Sequence, residues 1–135
     1  CRHHLPLTNY HFQKEQPLNR LFFGRIQFVA STTLFYFEKN SRVQKLLHNL
    51  KYNNQQSLGI TLGTWLGLEM KRSLRFETVD LVVPIPAHKI RLKKRGYNQV
   101  LTFAKASADI LEIPCDDSVL VKKKNTKTQG FQTKE

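Results

Sequence analysis

A cluster of positive charge lies in the segment VVPIPAHKIRLKKRGYNQ, which runs from Val82 to Gln99. A β-branched run ending in prolines precedes the cluster, and a pattern typical of a helix follows it. The cluster contains no acidic residue, and its cations are Lys89, Arg91, Lys93, Lys94 and Arg95. Side chains of this type, in a loop between a strand and a helix, are suited to binding an anion such as phosphate.

The residues around these cations favour the same chemistry. The free N–H groups at a helix start bind phosphate, and Gly96 lets a ligand approach the backbone because it has no Cβ. Arg91 and Arg95 are able to hold phosphate oxygens bidentately. His88 could donate a hydrogen bond or carry a proton near neutral pH. The alternative is a solvated basic loop beside a well-capped helix.

A second group of potential ligands lies at the beginning of the chain, and it consists of Cys1, His3, His4 and His11. Zinc sites usually take their ligands in close pairs such as C-x2-C, and this region has a single cysteine. We therefore interpret the histidines as solvated or packed side chains, with a metal site as the alternative.

The elements that position the basic segment follow from the hydrophobic pattern. One helix is predicted to be capped by Ser41 and to end at Tyr52, and a second is predicted to be capped by Ser57 and to run to about Leu74. A third helix is predicted to be capped by Asn98 and to run to about Leu111.

Three glycines form a ridge along the second of these helices, at Gly59, Gly63 and Gly67. Each glycine costs about 1 kcal/mol of helix propensity relative to alanine, so we expect close approach of a neighbouring element to offset that cost. A membrane GxxxG face is the alternative, but the segment is too polar and too short for it.

Strands are predicted at Gln27–Glu38, Val79–Ile85 and Ser118–Val121 because these runs are rich in β-branched, aromatic or apolar residues. From Ser57 onward the order is helix, strand, loop, helix, strand, which indicates a βαβ unit in a mainly parallel α/β sheet. Ligands of such sheets bind at the carboxyl ends of the strands. The basic segment is expected there.

Composition limits the classes of partner and compartment. The chain of 135 residues has a formal net charge of +12, which favours phosphates, nucleic acid or an acidic membrane face. Its two cysteines cannot form a disulfide framework, so we expect a reducing, cytoplasmic environment. The first residues lack the layout of a signal peptide, and no uncharged run is long and apolar enough to span a membrane.

The segment from Val79 to Gln99 resembles the signature of the ComF family, which consists of competence-associated proteins with a type I phosphoribosyltransferase fold. The family pattern is an aspartate, an apolar strand, Pro-x-Pro, a histidine, arginines, and then Arg-Gly-aromatic-Asn-Gln. The matching residues are Asp80, Pro84, Pro86, His88, Arg91, Arg95, Gly96, Tyr97, Asn98 and Gln99. Upstream, FYFEKNSRVQKLLHNLKYNNQ is similar to the family's aromatic strand, helix and Leu-Lys-Tyr step. Downstream, NTKTQ at Asn125 to Gln129 is similar to its Thr/Gln-rich segment.

The resemblance implies an α/β fold with a partial type I phosphoribosyltransferase-like parallel sheet and flanking helices. Residues 1–40 would be an N-terminal segment that includes the remnant of a zinc-ribbon region, and residues 41–135 would be the N-terminal part of the phosphoribosyltransferase-like domain. It also implies an enzyme of the glycosyltransferase class, in a parent protein linked to competence and DNA uptake.

The resemblance further implies a site for phosphoribosyl pyrophosphate (PRPP) or pyrophosphate. Mg²⁺ would be bound mainly through the phosphates and hydroxyls of the substrate. Phosphoribosyl transfer would depend on positioning and electrostatic stabilisation. The implied binding residues are His88, Lys89, Arg91, Arg95, Gly96, Tyr97, Asn98 and Gln99.

The chain departs from the family pattern at the acidic loop that holds PRPP. Asp116 and Asp117 form the only adjacent acidic pair, and they precede a predicted strand instead of ending one. We therefore expect the middle of a longer protein, inactive as a transferase by itself. Its sheet would be incomplete, swapped or completed by a partner chain, which leaves a homo-oligomer open.

The alternative function is a nucleic-acid-binding accessory protein in DNA uptake. It follows from the net charge, the clusters KIRLKKR and VKKKNTK, and Tyr97 as a residue that could stack on bases. This hypothesis predicts binding of single-stranded DNA that weakens steeply with salt.

Overall fold

The computed structural model of the chain describes residues 4–52 and 55–125. Within these ranges the chain is mainly helical. A short 3-10 turn precedes five α-helices, and the bounds are Tyr10–Phe12 for the turn, then Pro17–Phe22 (α1), Arg42–Tyr52 (α2), Gln56–Ser73 (α3), Lys89–Arg95 (α4) and Gln99–Leu111 (α5). The three helices expected from the hydrophobic pattern correspond to α2, α3 and α5. The bounds of α2 and α5 agree with the prediction, and those of α3 differ by one or two residues.

Side-chain caps fix the starts of α2 and α5. The Ser41 hydroxyl accepts a hydrogen bond from the Gln44 N–H at 3.2 Å, and the Asn98 side-chain oxygen accepts one from the Val100 N–H at 3.2 Å. Each cap satisfies a donor that has no partner inside the helix. The predicted caps at Ser41 and Asn98 are confirmed. The predicted cap at Ser57 is wrong, because α3 already begins at Gln56 and the preceding residue, Gln55, provides no side-chain cap.

The glycine ridge of α3 packs directly against α5. A Cβ at Gly63 would lie 2.2 Å from the Phe103 carbonyl oxygen, and a Cβ at Gly67 would lie 2.9 Å from the Ile110 Cβ. Only glycine permits backbones to approach this closely. The Ser107 hydroxyl completes the contact by donating to the Gly63 carbonyl oxygen at 2.9 Å. The prediction that close approach accounts for the three glycines is confirmed.

The predicted parallel α/β sheet is wrong. Residues 4–52 and 55–125 contain no strand, and Gln27–Glu38, Val79–Ile85 and Ser118–Val121 are extended or irregular. Two isolated bridges join such segments: an antiparallel bridge between Leu7 and Phe35, and a parallel one between Val82 and Cys115.

Proline explains why the parallel bridge does not lengthen into a ladder. Pro84 lies two residues after Val82 and Pro114 directly before Cys115, so the next hydrogen bond on each side would need an N–H that proline lacks. The Val82 N–H donates to the Pro114 oxygen at 2.9 Å, and the Asp116 N–H donates to the Val82 oxygen at 3.0 Å. The pairing that the sequence led us to expect is therefore limited to one residue on each side.

The core lies among α2, α3, α5 and the extended segment before α2. Its buried apolar side chains include Leu34, Val43, Leu50, Leu62 and Ala104. None of the helices in the described ranges has the length and apolar character needed to cross a membrane.

Candidate functional site

The basic segment forms a helix, α4, where the sequence led us to expect a loop. Arginine, lysine and leucine are good helix formers, and the helix has a cap at each end. The His88 Nδ1 accepts from the Ile90 N–H at 3.3 Å, and Gly96, at φ 80°, donates its N–H to the Leu92 oxygen at 2.7 Å. His88 and Gly96 thus have structural roles as the caps of α4.

Five of the seven residues of α4 are cationic, and none is acidic. Arg91 and Arg95 are half-buried and four residues apart, so they lie on the same face of the helix. Lys89, Lys93 and Lys94 are exposed. Lys93, Lys94 and Arg95 lie in the last turn, where the helix dipole favours positive charge. This arrangement concentrates cations that no carboxylate of α4 neutralises.

Two residues after α4 fix its position relative to the other helices. The Tyr97 hydroxyl donates to the carbonyl oxygen of Leu50, a residue of α2. The Asn98 side-chain nitrogen donates to the Ile85 oxygen at 3.3 Å, while its oxygen caps α5. Tyr97 is half-buried, and this tether restricts the stacking on bases that we expected of it.

Gln99 is the first residue of α5, directly after this tether. Its side-chain oxygen is buried and has no hydrogen-bond partner among the described residues. Of the expected phosphate-binding group, the structure thus places Lys89, Arg91 and Arg95 on α4. It places His88 and Gly96 at the caps of that helix, and Tyr97, Asn98 and Gln99 in the connection to α5.

The adjacent acidic residues Asp116 and Asp117 follow the parallel bridge. The Asp116 carboxylate accepts from the Ser118 N–H at 2.8 Å and from the Ser118 hydroxyl at 2.6 Å. These hydrogen bonds hold the pKa of Asp116 below its ordinary value. The carboxylate therefore stabilises a local turn.

The N-terminal histidines do not form a metal site within the described residues. No group of three or more His, Cys, Asp or Glu side chains in those ranges is placed to hold a metal ion. Cys1 and His3 lie outside the described residues, and His4 is exposed. His11 is a packed core residue, as the favoured interpretation predicted, and is only 1% exposed.

His11 belongs to a buried polar pair that sequence reasoning missed. Its Nε2 lies 3.6 Å from the Glu69 carboxylate of α3, and neither ring nitrogen has a hydrogen-bond partner in the described part of the chain. Burial lowers the pKa of His11 below its ordinary value, while Glu69 acts to raise it and Arg72 to lower it. The two partners are far apart in the chain, and no local pattern signals their contact.

Comparison with known proteins adds one relative. Competence protein F of Haemophilus influenzae (strain ATCC 51907 / DSM 11121 / KW20 / Rd) is 29% identical over 94 residues. The match covers 67% of this chain and 41% of the relative. The chain is thus similar to part of Competence protein F. This similarity agrees with the ComF resemblance of the segment Val79 to Gln99.

The comparison has a limited extent. The chain matches less than half the length of this relative, so it does not represent the whole of that protein. No protein-family model matches the chain, and no solved structure matches it.

Proposed function

We propose that the chain belongs to a competence-related protein and that α4 with its flanking turns binds the phosphate groups of PRPP or pyrophosphate. The observation that carries this proposal is the charge of α4, five cations in seven residues with no acid among them. The relative named Competence protein F supports the biological context.

The geometry around α4 supports a polyphosphate ligand. Arg91 and Arg95 share a face, and a planar guanidinium binds two phosphate oxygens at once. The space beside Gly96 is open: within the described residues, and apart from Gly96 and its two chain neighbours, no atom lies within 4 Å of the position that a Cβ would take. A phosphate group could therefore approach the backbone there while the two arginines contact its other oxygens.

The residues of α4 do not fit a resident magnesium ion. Mg²⁺ prefers oxygen ligands, and α4 offers cationic side chains only. We propose that magnesium enters, where it takes part, as the counter-ion of the pyrophosphate group. The contribution of the protein is then to bind and orient the phosphates.

Calorimetric titration with PRPP and Mg²⁺ tests the proposal, using the chain and an Arg95→Ala variant. Loss of one charge-assisted contact is expected to weaken binding roughly tenfold or more. Arg20→Ala is the matched control, because it removes the same charge from an exposed position on α1. It is expected to change the affinity by less than about twofold.

Lys94→Ala separates contact from folding, because Lys94 is exposed and ends no helix. It is expected to weaken PRPP binding without a change in the far-UV circular dichroism spectrum. If Arg95→Ala and Lys94→Ala bind PRPP as well as the original chain, α4 is not the site. Parallel titration with single-stranded DNA at two salt concentrations tests the nucleic-acid alternative, for which affinity falls steeply with salt.

A further inference from the structure

Hydrogen bonds from a single arginine hold the 3-10 turn against the end of α3. The Arg75 guanidinium, two residues after α3, donates to the carbonyl oxygens of Tyr10 (3.1 Å) and Gln13. Upstream of the turn, the Thr8 N–H donates to the Leu34 oxygen at 3.2 Å. The turn is thus attached separately to α3 and to the extended segment before α2, so one attachment is able to open while the other stays closed.

His11 lies at the interface between the turn and α3 with its ring unpaired. It is 1% exposed, and among the described residues neither ring nitrogen has a hydrogen-bond partner. Its Nε2 lies 3.6 Å from a carboxylate oxygen of Glu69, which is itself buried. That carboxylate also accepts from the Trp65 Nε1 at 3.3 Å and from the Arg72 guanidinium at 3.5 Å. Because the carboxylate is shared among three groups, it offsets a positive charge on His11 only in part.

The surroundings of His11 oppose protonation of its ring while the turn is docked. Burial lowers the pKa of His11 below its ordinary value, whereas Glu69 acts to raise this pKa and Arg72 to lower it. Arg75 is a further cation at the turn. Tyr10, the titratable neighbour of His11 within the turn, is neutral near pH 6, because tyrosine ionises only at about pH 10. The docked turn therefore favours the neutral form of the ring.

We propose that the 3-10 turn is an acid-released latch, in which protonation of His11 frees residues 10–13 from α3 while α3 and α5 stay packed. A protonated ring is costly to keep in the docked position, because burial removes the water that would solvate its charge. Release returns the ring to water and uncovers Glu69. The docked turn is stable above about pH 6.5, the ordinary pKa of histidine, and loses stability as the pH falls below that value. The latch is independent of phosphate binding at α4, and neither proposal requires the other.

Amide hydrogen exchange of the ¹⁵N-labelled chain tests the latch residue by residue. Phe12 and Gln13 report on the turn, since their N–H groups donate to the Asn9 and Tyr10 oxygens at 3.1 Å each. Their protection factors, which are corrected for the intrinsic effect of pH on exchange, are expected to fall by up to about tenfold between pH 6.5 and pH 5.5.

The response to urea separates local release from global unfolding. Release of the turn exposes little surface, so exchange at the turn should be almost insensitive to low concentrations of urea. Exchange in α5 should accelerate steeply with urea, because it requires the chain to unfold. Trp65 gives a second reading, since it is the single tryptophan of the chain and its indole is bonded to Glu69. Its emission should shift to longer wavelength over the same pH range, with no loss of the helical circular dichroism signal.

Four variants identify the sensor and the charges that act on it. His11→Phe keeps an aromatic ring that takes up no proton, so it should abolish the pH dependence of exchange at the turn. His48→Phe is the matched control, because His48 is exposed on α2, and it should leave that dependence unchanged. Glu69→Gln removes the attractive charge and should extend the pH dependence to lower pH, whereas Arg72→Ala removes a repulsive charge and should narrow it. A purely structural role of either residue would instead change protection by the same factor at every pH.

Three results would overturn the proposal. The first is protection at the turn that stays constant from pH 7.5 to pH 5.0, which would show that acid does not open the latch. The second is the same pH dependence in the original chain and in His11→Phe, which would make another group the sensor. The third is loss of protection in α5 together with the turn and with the same response to urea, which would show that acid unfolds the chain as a whole.

Discussion

Replacing Gly63 with alanine tests the packing of α3 on α5, the contact that holds the helical core together. The added Cβ would lie 2.2 Å from the Phe103 carbonyl oxygen and 3.0 Å from the Ala106 Cβ. The nearest atom belongs to the backbone, so no rotamer change is able to relieve the overlap. The two helices must instead separate locally by roughly 1 Å to restore an ordinary contact.

The energetic cost of that separation has two parts. Overpacking of a well-packed interface costs about 1–3 kcal/mol. Lengthening the Ser107 hydrogen bond to the Gly63 oxygen, now 2.9 Å, adds up to about 1 kcal/mol. Alanine recovers about 1 kcal/mol of helix propensity. The net expectation is a loss of roughly 1–3 kcal/mol in the free energy of unfolding.

Urea unfolding followed by far-UV circular dichroism measures this loss. The midpoint should fall by about 1 M with an unchanged slope. Gly59→Ala is the matched control, because its nearest neighbour is the Thr102 hydroxyl at 2.4 Å, which is the end of a side chain that can rotate. It should cost much less than Gly63→Ala. If Gly63→Ala is as stable as the original chain or more stable, α3 and α5 are not packed as described.

The remaining two expectations concern stability. His11 has a depressed pKa in the folded chain, so as pH falls through about 6.5 the unfolded state takes up a proton that the folded state resists. When the pH is lowered from 7.5 to 5.5, the free energy of unfolding should therefore decrease more in the original chain than in His11→Phe. An equal decrease in both proteins would contradict this expectation. Asn98→Ala removes the cap of α5 and the bond to Ile85, and should cost about 1–2 kcal/mol. Asn98→Ser keeps a capping oxygen, so its free energy of unfolding in urea should lie between those of the original chain and Asn98→Ala. Equal stability of the original chain and both variants would show that the cap contributes nothing.

Helices α2, α3 and α5 were predictable because the information that forms them is local. The caps at Ser41 and Asn98 act on N–H groups two or three residues away, and the apolar spacing of α2 defines one face without reference to the rest of the chain. The glycine ridge of α3 indicated a close neighbour in the same way. It could not indicate that the neighbour is α5, because that contact depends on the tertiary fold.

The sheet was not predictable for the opposite reason. A β-rich segment becomes a strand only when other segments pair with it, and its propensity depends on that context. Val79–Ile85 has the composition of a buried strand, yet within the described residues its pairing stops at Val82. The expectation of a loop at 89–95 was wrong for a different reason, because it overlooked a local signal: good helix formers between His88 and Gly96 produce α4.

The segment from Arg95 to Gln99 has two separate kinds of evidence. The family resemblance implies that its residues bind phosphate, and the structure gives their roles in the fold. In the run from Arg95 to Gln99, Gly96 ends α4, Tyr97 ties the connection to α2, and Asn98 starts α5. These three residues would be needed for the shape of the segment even if no ligand bound there. The charge that favours a polyphosphate comes instead from α4 itself, and chiefly from side chains that cap nothing. A substitution at Gly96, Tyr97 or Asn98 would disturb the local structure as well as any binding. Substitution of the exposed cations of α4 therefore tests phosphate binding without that structural effect.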